Sequence, residues 1–171
     1  TYSTADTVAN ALCKLHRLGN WLTPLHSYMT LSIKVDKLDS SLKSKALIVS
    51  ASGKNFNAIG GTWEGNVITA NTKSMGSYTV MVDQTVPKIS PINITAGKNM
   101  KTSKTIEFKI SDNLSGIKSF HCYVDNKWIL MEYDSKTQRL FHEFDSQRIG
   151  EGFHSLKLKV SDAKDNIEEY N

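Results

Sequence analysis

Apolar and polar residues alternate along this chain in short runs. "MTLSIKV" (29–35), "KALIVSA" (45–51), "NVITANT" (66–72), "GSYTVMV" (76–82), "TIEFKIS" (105–111), "IKSFHCYV" (117–124), "KWILMEY" (127–133), "RLFHEFD" (139–145) and "HSLKLKV" (154–160) are rich in β-branched and aromatic residues and are bounded by Gly, Asn, Asp and Ser. A period of two over four to eight residues is the mark of a strand with one face buried, and many such runs at regular spacing predict an all-β sandwich. "VDQTVPKISP" (82–91) separates two sets of runs of similar size. Pro87 and Pro91 have no N–H to give to a ladder, so a boundary is expected near residue 86. The expected layout is an N-terminal segment 1–22, a first sandwich 23–86 and a second 87–171.

Residues 6–17 fit two patterns. Val8, Leu12 and Leu15 make a helical stripe, with Thr4 as a cap and Gly19 as a stop, while Thr7 and Val8 equally suit an opening strand. Further on the chain repeats itself. "IEFKISDNLSGIKSF" (106–120) and "LKLKVSDAKDNIEEY" (156–170) share the frame apolar-x-apolar-Lys-apolar-Ser-Asp, four loop residues, Ile, two polar residues and an aromatic, and "LSIKVDKLDS" (31–40) echoes the first half. A carboxylate at the end of a strand accepts backbone N–H groups two residues on, so Asp112 and Asp162 read as turn caps. The functional alternative is calcium, with Asp83, Asp112, Asp162 and Asp165 as oxygen ligands. No loop carries the dense Asp-x-Asp-x-Asp pattern of a dedicated calcium loop.

Composition narrows the function classes. The 171 residues, 39% hydrophobic and 22% charged, suffice for one domain or two small ones. No run of 18 apolar residues is present and the N-terminus lacks the basic-then-apolar pattern of a secretory signal, so no membrane span and no precursor segment is expected. The net charge is +4, yet Lys101, Lys104, Lys109, Lys157 and Lys159 alternate with apolar residues instead of clustering. That is a solvated sheet face and not a nucleic-acid footprint. Cys13 and Cys122 are too few for a disulfide scaffold, and Cys122, on a strand face with Phe120 and Val124, reads as a buried free thiol.

His121-x-x-x-Asp125 has the spacing of a zinc-ligand pair. On a strand, however, residues four apart stand about 13 Å from each other, whereas zinc ligands all lie about 2 Å from one ion. "VDNKW" reads better as a hairpin turn at Asp125-Asn126, with Trp128 opening the return strand. His16, His26, His142 and His154 are scattered singly, and no Gly-rich phosphate loop or nucleophile elbow occurs. Glu64 beside Trp63 and Glu132 beside Tyr133 make a glycosidase-like carboxylate pair of a kind found in any sandwich of this size. Gly60-Gly61 is expected to mark a bulge or a close backbone crossing. No catalytic residue and no cofactor is expected.

"DQTVPKISP", "IEFKISDNLSGIKSF", "VDNKWILMEYD", "LFHEFD" and "HSLKLKVSDAKDN", in that order, resemble the C-terminal immunoglobulin-like region that follows the catalytic domain in bacterial envelope proteins of the lysostaphin-type zinc metallopeptidase family; "TPLHSYMTLSIKV" and "MGSYTVMVD" resemble the preceding module. The resemblance runs from about Thr23 onward. It implies two tandem immunoglobulin-like β-sandwiches serving as a non-catalytic accessory region in the cell envelope, periplasmic or extracellular, with a preceding peptidase domain or cell-wall polymer as partner. The family's zinc site also needs a His-x-His element, which is missing here, so no catalytic residue carries over. The alternative is a stand-alone adhesion or carbohydrate-binding module in which Trp21, Trp63 and Trp128 stack on sugar rings.

Overall fold

Each alternating run carries a strand. The computed structural model describes residues 1–144 and 149–171; Asp145, which ends the 139–145 run, lies outside the described residues. The chain forms two units, Thr1–Gln84 and Thr85–Asn171. It is all-β, apart from a short 3-10 turn at Ser40–Lys45 whose cap, Asp39, accepts the Ser41 N–H.

In the first unit the strands are β1 (Tyr2–Ala5), β2 (Leu15–Leu18), β3 (Pro24–Lys34), β4 (Ala46–Ser52), β5 (Asn55–Gly60), β6 (Thr62–Glu64), β7 (Val67–Ser74) and β8 (Gly76–Val82). They make an antiparallel sheet ordered β1-β2-β8-β4-β5 and a second ordered β3-β7-β6. The two contribute Leu31, Ile33, Ile48, Ile68, Tyr78 and Val80 to one buried cluster. The segment 6–17, whose sequence suits either helix or an opening strand, is mostly neither: residues 6–14 form an irregular turn held to the sheet by the Ala11↔Met81 bridge, and only its end enters β2, which pairs with β1 from Tyr2↔Leu18 to Ala5↔Leu15 and with β8.

The Gly60-Gly61 pair is where the chain leaves one sheet for the other, β5 lying in the first and β6 in the second. Both glycines have positive φ, +90° and +136°. A Cβ on Gly61 would stand 2.7 Å from Ile68 Cγ1, so the turn is both left-handed and tightly packed.

The second unit contains β9 (Lys88–Pro91), β10 (Thr105–Ser111), β11 (Ile117–Val124), β12 (Lys127–Ile129), β13 (Glu132–Asp134), β14 (Arg139–Glu143), β15 (Leu156–Asp162) and β16 (Ile167–Tyr170). Its sheets are ordered β13-β14-β10-β9 and β12-β11-β15-β16. Ile106, Phe108, Ile110 and Leu140 from one sheet meet Cys122, Val124, Leu158 and Val160 from the other in a single core, each large side chain contributing about 1.5–3 kcal/mol by burial. The "IKSFHCYV" and "KWILMEY" runs form the expected hairpin, with Asp125 and Asn126 at φ +49° and +63° between the paired residues Val124 and Lys127.

"KWILMEY" reads as one strand but forms two. β12 pairs with β11 in one sheet, and β13 pairs with β14 in the other. Ile129 and Met131 are both buried while Leu130 is exposed, so the chain crosses the sandwich edge at Leu130. The carbonyl freed at this crossing is met by His142 Nδ1 at 2.7 Å, as a partly buried backbone acceptor requires.

Because Gly61 combines a positive φ with a filled Cβ position, Gly61→Ala is expected to lower unfolding stability in urea by about 1–3 kcal/mol. Gly53→Ala, at a left-handed turn with open space around it, is expected to cost less. Equal losses at the two sites would remove the packing argument.

Candidate functional site

The repeated Ser-Asp ends of β10 and β15 build the same corner twice. Asp112 Oδ2 accepts the N–H of Leu114 at 3.0 Å and of Gly116 at 2.8 Å. Asp162 Oδ1 accepts the N–H of Lys164 at 2.8 Å and of Asn166 at 2.8 Å. Each carboxylate thus caps the amides two and four residues on; at Asp112 the chain leaves one sheet for the other, and at Asp162 it turns back within its own sheet as the β15–β16 hairpin. The corners are joined. Ala163 N–H donates to the Gly116 carbonyl at 2.9 Å, and Ile117 stands opposite Asp162 in the β11–β15 ladder.

The second oxygens differ. Asp162, wholly buried, has Oδ2 bonded by the Asn166 side-chain amide at 2.7 Å. The matching position in the other corner is Gly116, which has no side chain, and Asp112 Oδ1 is buried without a hydrogen-bond partner. The two aspartates bring carboxylate oxygens within 4.8 Å of each other. An open hollow of about 280 Å³ lies beside Asp112, lined by Thr85, Val86, Lys88, Ser111 and Asn113.

Of the four proposed calcium ligands, then, the second unit brings Asp112 and Asp162 together. Asp165 turns away: it sits at φ +57° with its exposed carboxylate on the Lys118 ammonium at 2.5 Å. Asp83 belongs to the first unit, buried at the end of β8's extension, with its N–H on the Lys45 carbonyl at 2.9 Å.

The His121–Asp125 spacing does not become a chelate. His121 is exposed on β11 opposite Lys159, and the Asp125 carboxylate is engaged elsewhere. Its Oδ2 receives His154 Nδ1 at 2.6 Å, and its Oδ1 receives the Ser155 N–H at 2.8 Å. His154 Nε2 lies 3.1 Å from the Gly150 carbonyl. Both ring nitrogens face acceptors, an arrangement that favours the imidazolium form, in which both donate. These bonds, the Asp125 contact foremost, raise the His154 pKa, and the same contact lowers that of Asp125. No short-range motif announces this pairing across 29 positions; the positive-φ turn that aims Asp125 outward is its one local sign. Among the described residues, no histidine joins a group of three or more potential metal ligands.

The tryptophans divide between the units. Trp21 is 75% exposed in the first unit and Trp128 is 53% exposed in the second. Trp63 packs against the first core, with the Lys43 ammonium over its ring at 5.7 Å. Tyr28 (65%) and Leu22 (66%) are, like Trp21, exposed large side chains of the first unit, and the tryptophan count alone misses them. Glu64 lies on β6 of the first unit and Glu132 on β13 of the second. Cys13 and Cys122 are free thiols, and burial pushes Cys122 up to about 12, where it is unreactive.

The His154–Asp125 clasp has a defined pH window. A raised histidine pKa contributes stability that is whole below the ordinary value of about 6.5 and is lost as pH rises through the folded value above it; the lowered Asp125 contributes above its ordinary value of about 3.9 and fades in acid. Melting temperatures measured between about pH 5 and 9 should therefore fall on the alkaline side, and His154→Gln should flatten that part of the profile. An unchanged profile in the variant would show that the clasp contributes nothing to folding.

Comparison with known proteins bears on the first unit. The Zu5-like domain family model matches residues 1–83, the stretch that forms it. No curated protein matches the chain. The first unit is thus similar to a Zu5-like domain.

Proposed function

We propose that this chain is a non-catalytic accessory region of a bacterial cell-envelope protein, periplasmic or extracellular, working beside a peptidoglycan-cleaving zinc metallopeptidase unit of the lysostaphin type. The sequence resemblance supports the setting, and it casts the two sandwiches as tandem immunoglobulin-like modules. Their task is contact: they hold a catalytic unit against wall polymer. The scattered histidines support a chemistry located elsewhere, since zinc hydrolysis needs three protein ligands around one ion.

The observation that carries the contact role is the exposed set Trp21, Leu22 and Tyr28 within eight residues of the first unit. Large exposed apolar side chains of this kind mark interaction surfaces, and aromatic rings stack on the apolar faces of sugars. Tyr28 already carries the Lys73 ammonium over its ring at 4.6 Å, which adds a cation for acidic groups of a wall polymer. The same observation favours a second reading, a stand-alone adhesion or carbohydrate-binding module that uses this surface with no peptidase partner.

Incubation with insoluble peptidoglycan tests the proposal. The chain is expected to sediment with the wall and, supplied with zinc, to release no soluble fragments. Trp21→Ala combined with Tyr28→Ala should reduce the bound fraction several-fold without shifting the melting temperature. Release of fragments by the purified chain would overturn the non-catalytic reading, and failure to sediment would remove wall polymer as the partner.

A further inference from the structure

Resting on the contact role given above, we propose that the outer face of the β3-β7-β6 sheet binds a glycan strand of the wall polymer, and that this strand carries carboxylates. The inner face of the sheet is set by Leu31, Ile33 and Ile68, which lie in the core of the first unit. By the two-residue alternation of a strand, Thr30 and Ser32 on β3 and Thr69 and Asn71 on β7 then face outward. The register sets Thr30 opposite Asn71 and Ser32 opposite Thr69. Lys73, two residues beyond Asn71, keeps to the same face, and its ammonium over the exposed Tyr28 ring at 4.6 Å places that ring at the end of the row.

The polar groups of this row are small and tied down in pairs. Thr30 Oγ1 donates to Asn71 Oδ1 at 3.1 Å, and the Ser32 and Thr69 hydroxyls share a bond of 2.9 Å. Each pair leaves a donor over. The Asn71 amide keeps its N–H₂ and one hydroxyl of the Ser32–Thr69 pair keeps its proton, and neither meets a protein acceptor among the described residues. Groups already held by their neighbours lose little freedom when a ligand arrives. A row of fixed donors and hydroxyl oxygens that ends on an exposed aromatic ring suits a sugar chain, whose hydroxyls bond the row while the apolar face of one ring stacks on Tyr28.

Charge narrows the class of glycan. No acidic side chain stands among these paired residues, and among the described residues no carboxylate pairs with Lys73, whose contact is the Tyr28 ring. In the next row Lys34 is held by Asp36 at 3.0 Å and Glu64 stands beside Val67, so the unpaired cation belongs to the Tyr28 end. An ammonium without a counter-ion, held on the ring that stacks the sugar, is complementary to a carboxylate on that sugar or its neighbour.

Two soluble probes test the face by calorimetry with the full chain: hyaluronan oligosaccharides, which carry a carboxylate on every second sugar, and chitin oligosaccharides, which are neutral. Retention on insoluble peptidoglycan is measured alongside. The chain is expected to bind the hyaluronan probe several-fold more tightly than the chitin probe at low salt and to lose that preference at about 0.5 M salt, where exposed charges are screened. Lys73→Gln should remove the preference and leave chitin binding as it was. Ser32→Val combined with Thr69→Val keeps side chains suited to a strand, and should weaken both probes and wall retention several-fold at an unchanged melting temperature. Equal binding of the two probes, binding of neither, or a preference that survives Lys73→Gln overturns the proposal. Wall retention that falls in the Trp21→Ala and Tyr28→Ala double variant, but not in Lys73→Gln or the valine pair, overturns this face and leaves the contact role standing. No retention by the unaltered chain removes both.

Discussion

Every corner of a sandwich, whether the chain changes sheet or turns back within one, pulls backbone N–H and C=O groups out of a ladder. Satisfying those groups in partly buried positions is the constraint on which the rest of this structure depends. In the second unit the solution is carboxylate capping, used twice, at Asp112 and Asp162. At the Leu130 crossing it is an imidazole, His142, aimed at the freed carbonyl. At the hairpin of β11 and β12 it is the Asp125 carboxylate, which takes the Ser155 N–H and the His154 ring together. In the first unit Gly60 and Gly61 do the same work by conformation, adopting backbone angles closed to other residues.

These corners also explain why residues that look chemical are occupied. Asp125 and His154 bind each other and His142 binds backbone, so these three groups support loops. Glu107 behaves alike. Its carboxylate is gripped by the Arg139 guanidinium at 2.7 Å and by the Thr105 hydroxyl, and these contacts hold it down at about 2. These groups support the protein's own corners, and the contact role proposed above rests instead on the exposed Trp21, Leu22 and Tyr28.

Much of the fold is legible in the sequence because period-two alternation and turn residues are local. All nine alternating runs carry strands, and the Asp-capped repeat could be read from its spacing of fifty. β5, β9 and β16 escape a reading by alternation: they are short or edge strands whose pairing depends on partners distant in sequence. The split of "KWILMEY" escapes for the same reason, since Ile129 and Met131 are both apolar whether they belong to one strand or to two sheets. At the candidate site, spacing identifies Asp112 and Asp162 as partners, but not the asymmetry between Gly116 and Asn166 that orphans one oxygen. That contrast is visible in the aligned repeat. Its consequence is not, because it needs the burial of Asp112 Oδ1.

If carboxylate caps hold the corners of the second unit, then loop amides must behave like strand amides. Native-state hydrogen exchange measures this directly at Leu114, Gly116, Lys164 and Asn166. The account predicts slow exchange at all four, with Lys164 and Asn166, bonded to the wholly buried Asp162, protected to the level of the β11 and β15 amides. Exchange at the rate of an unstructured loop would contradict it.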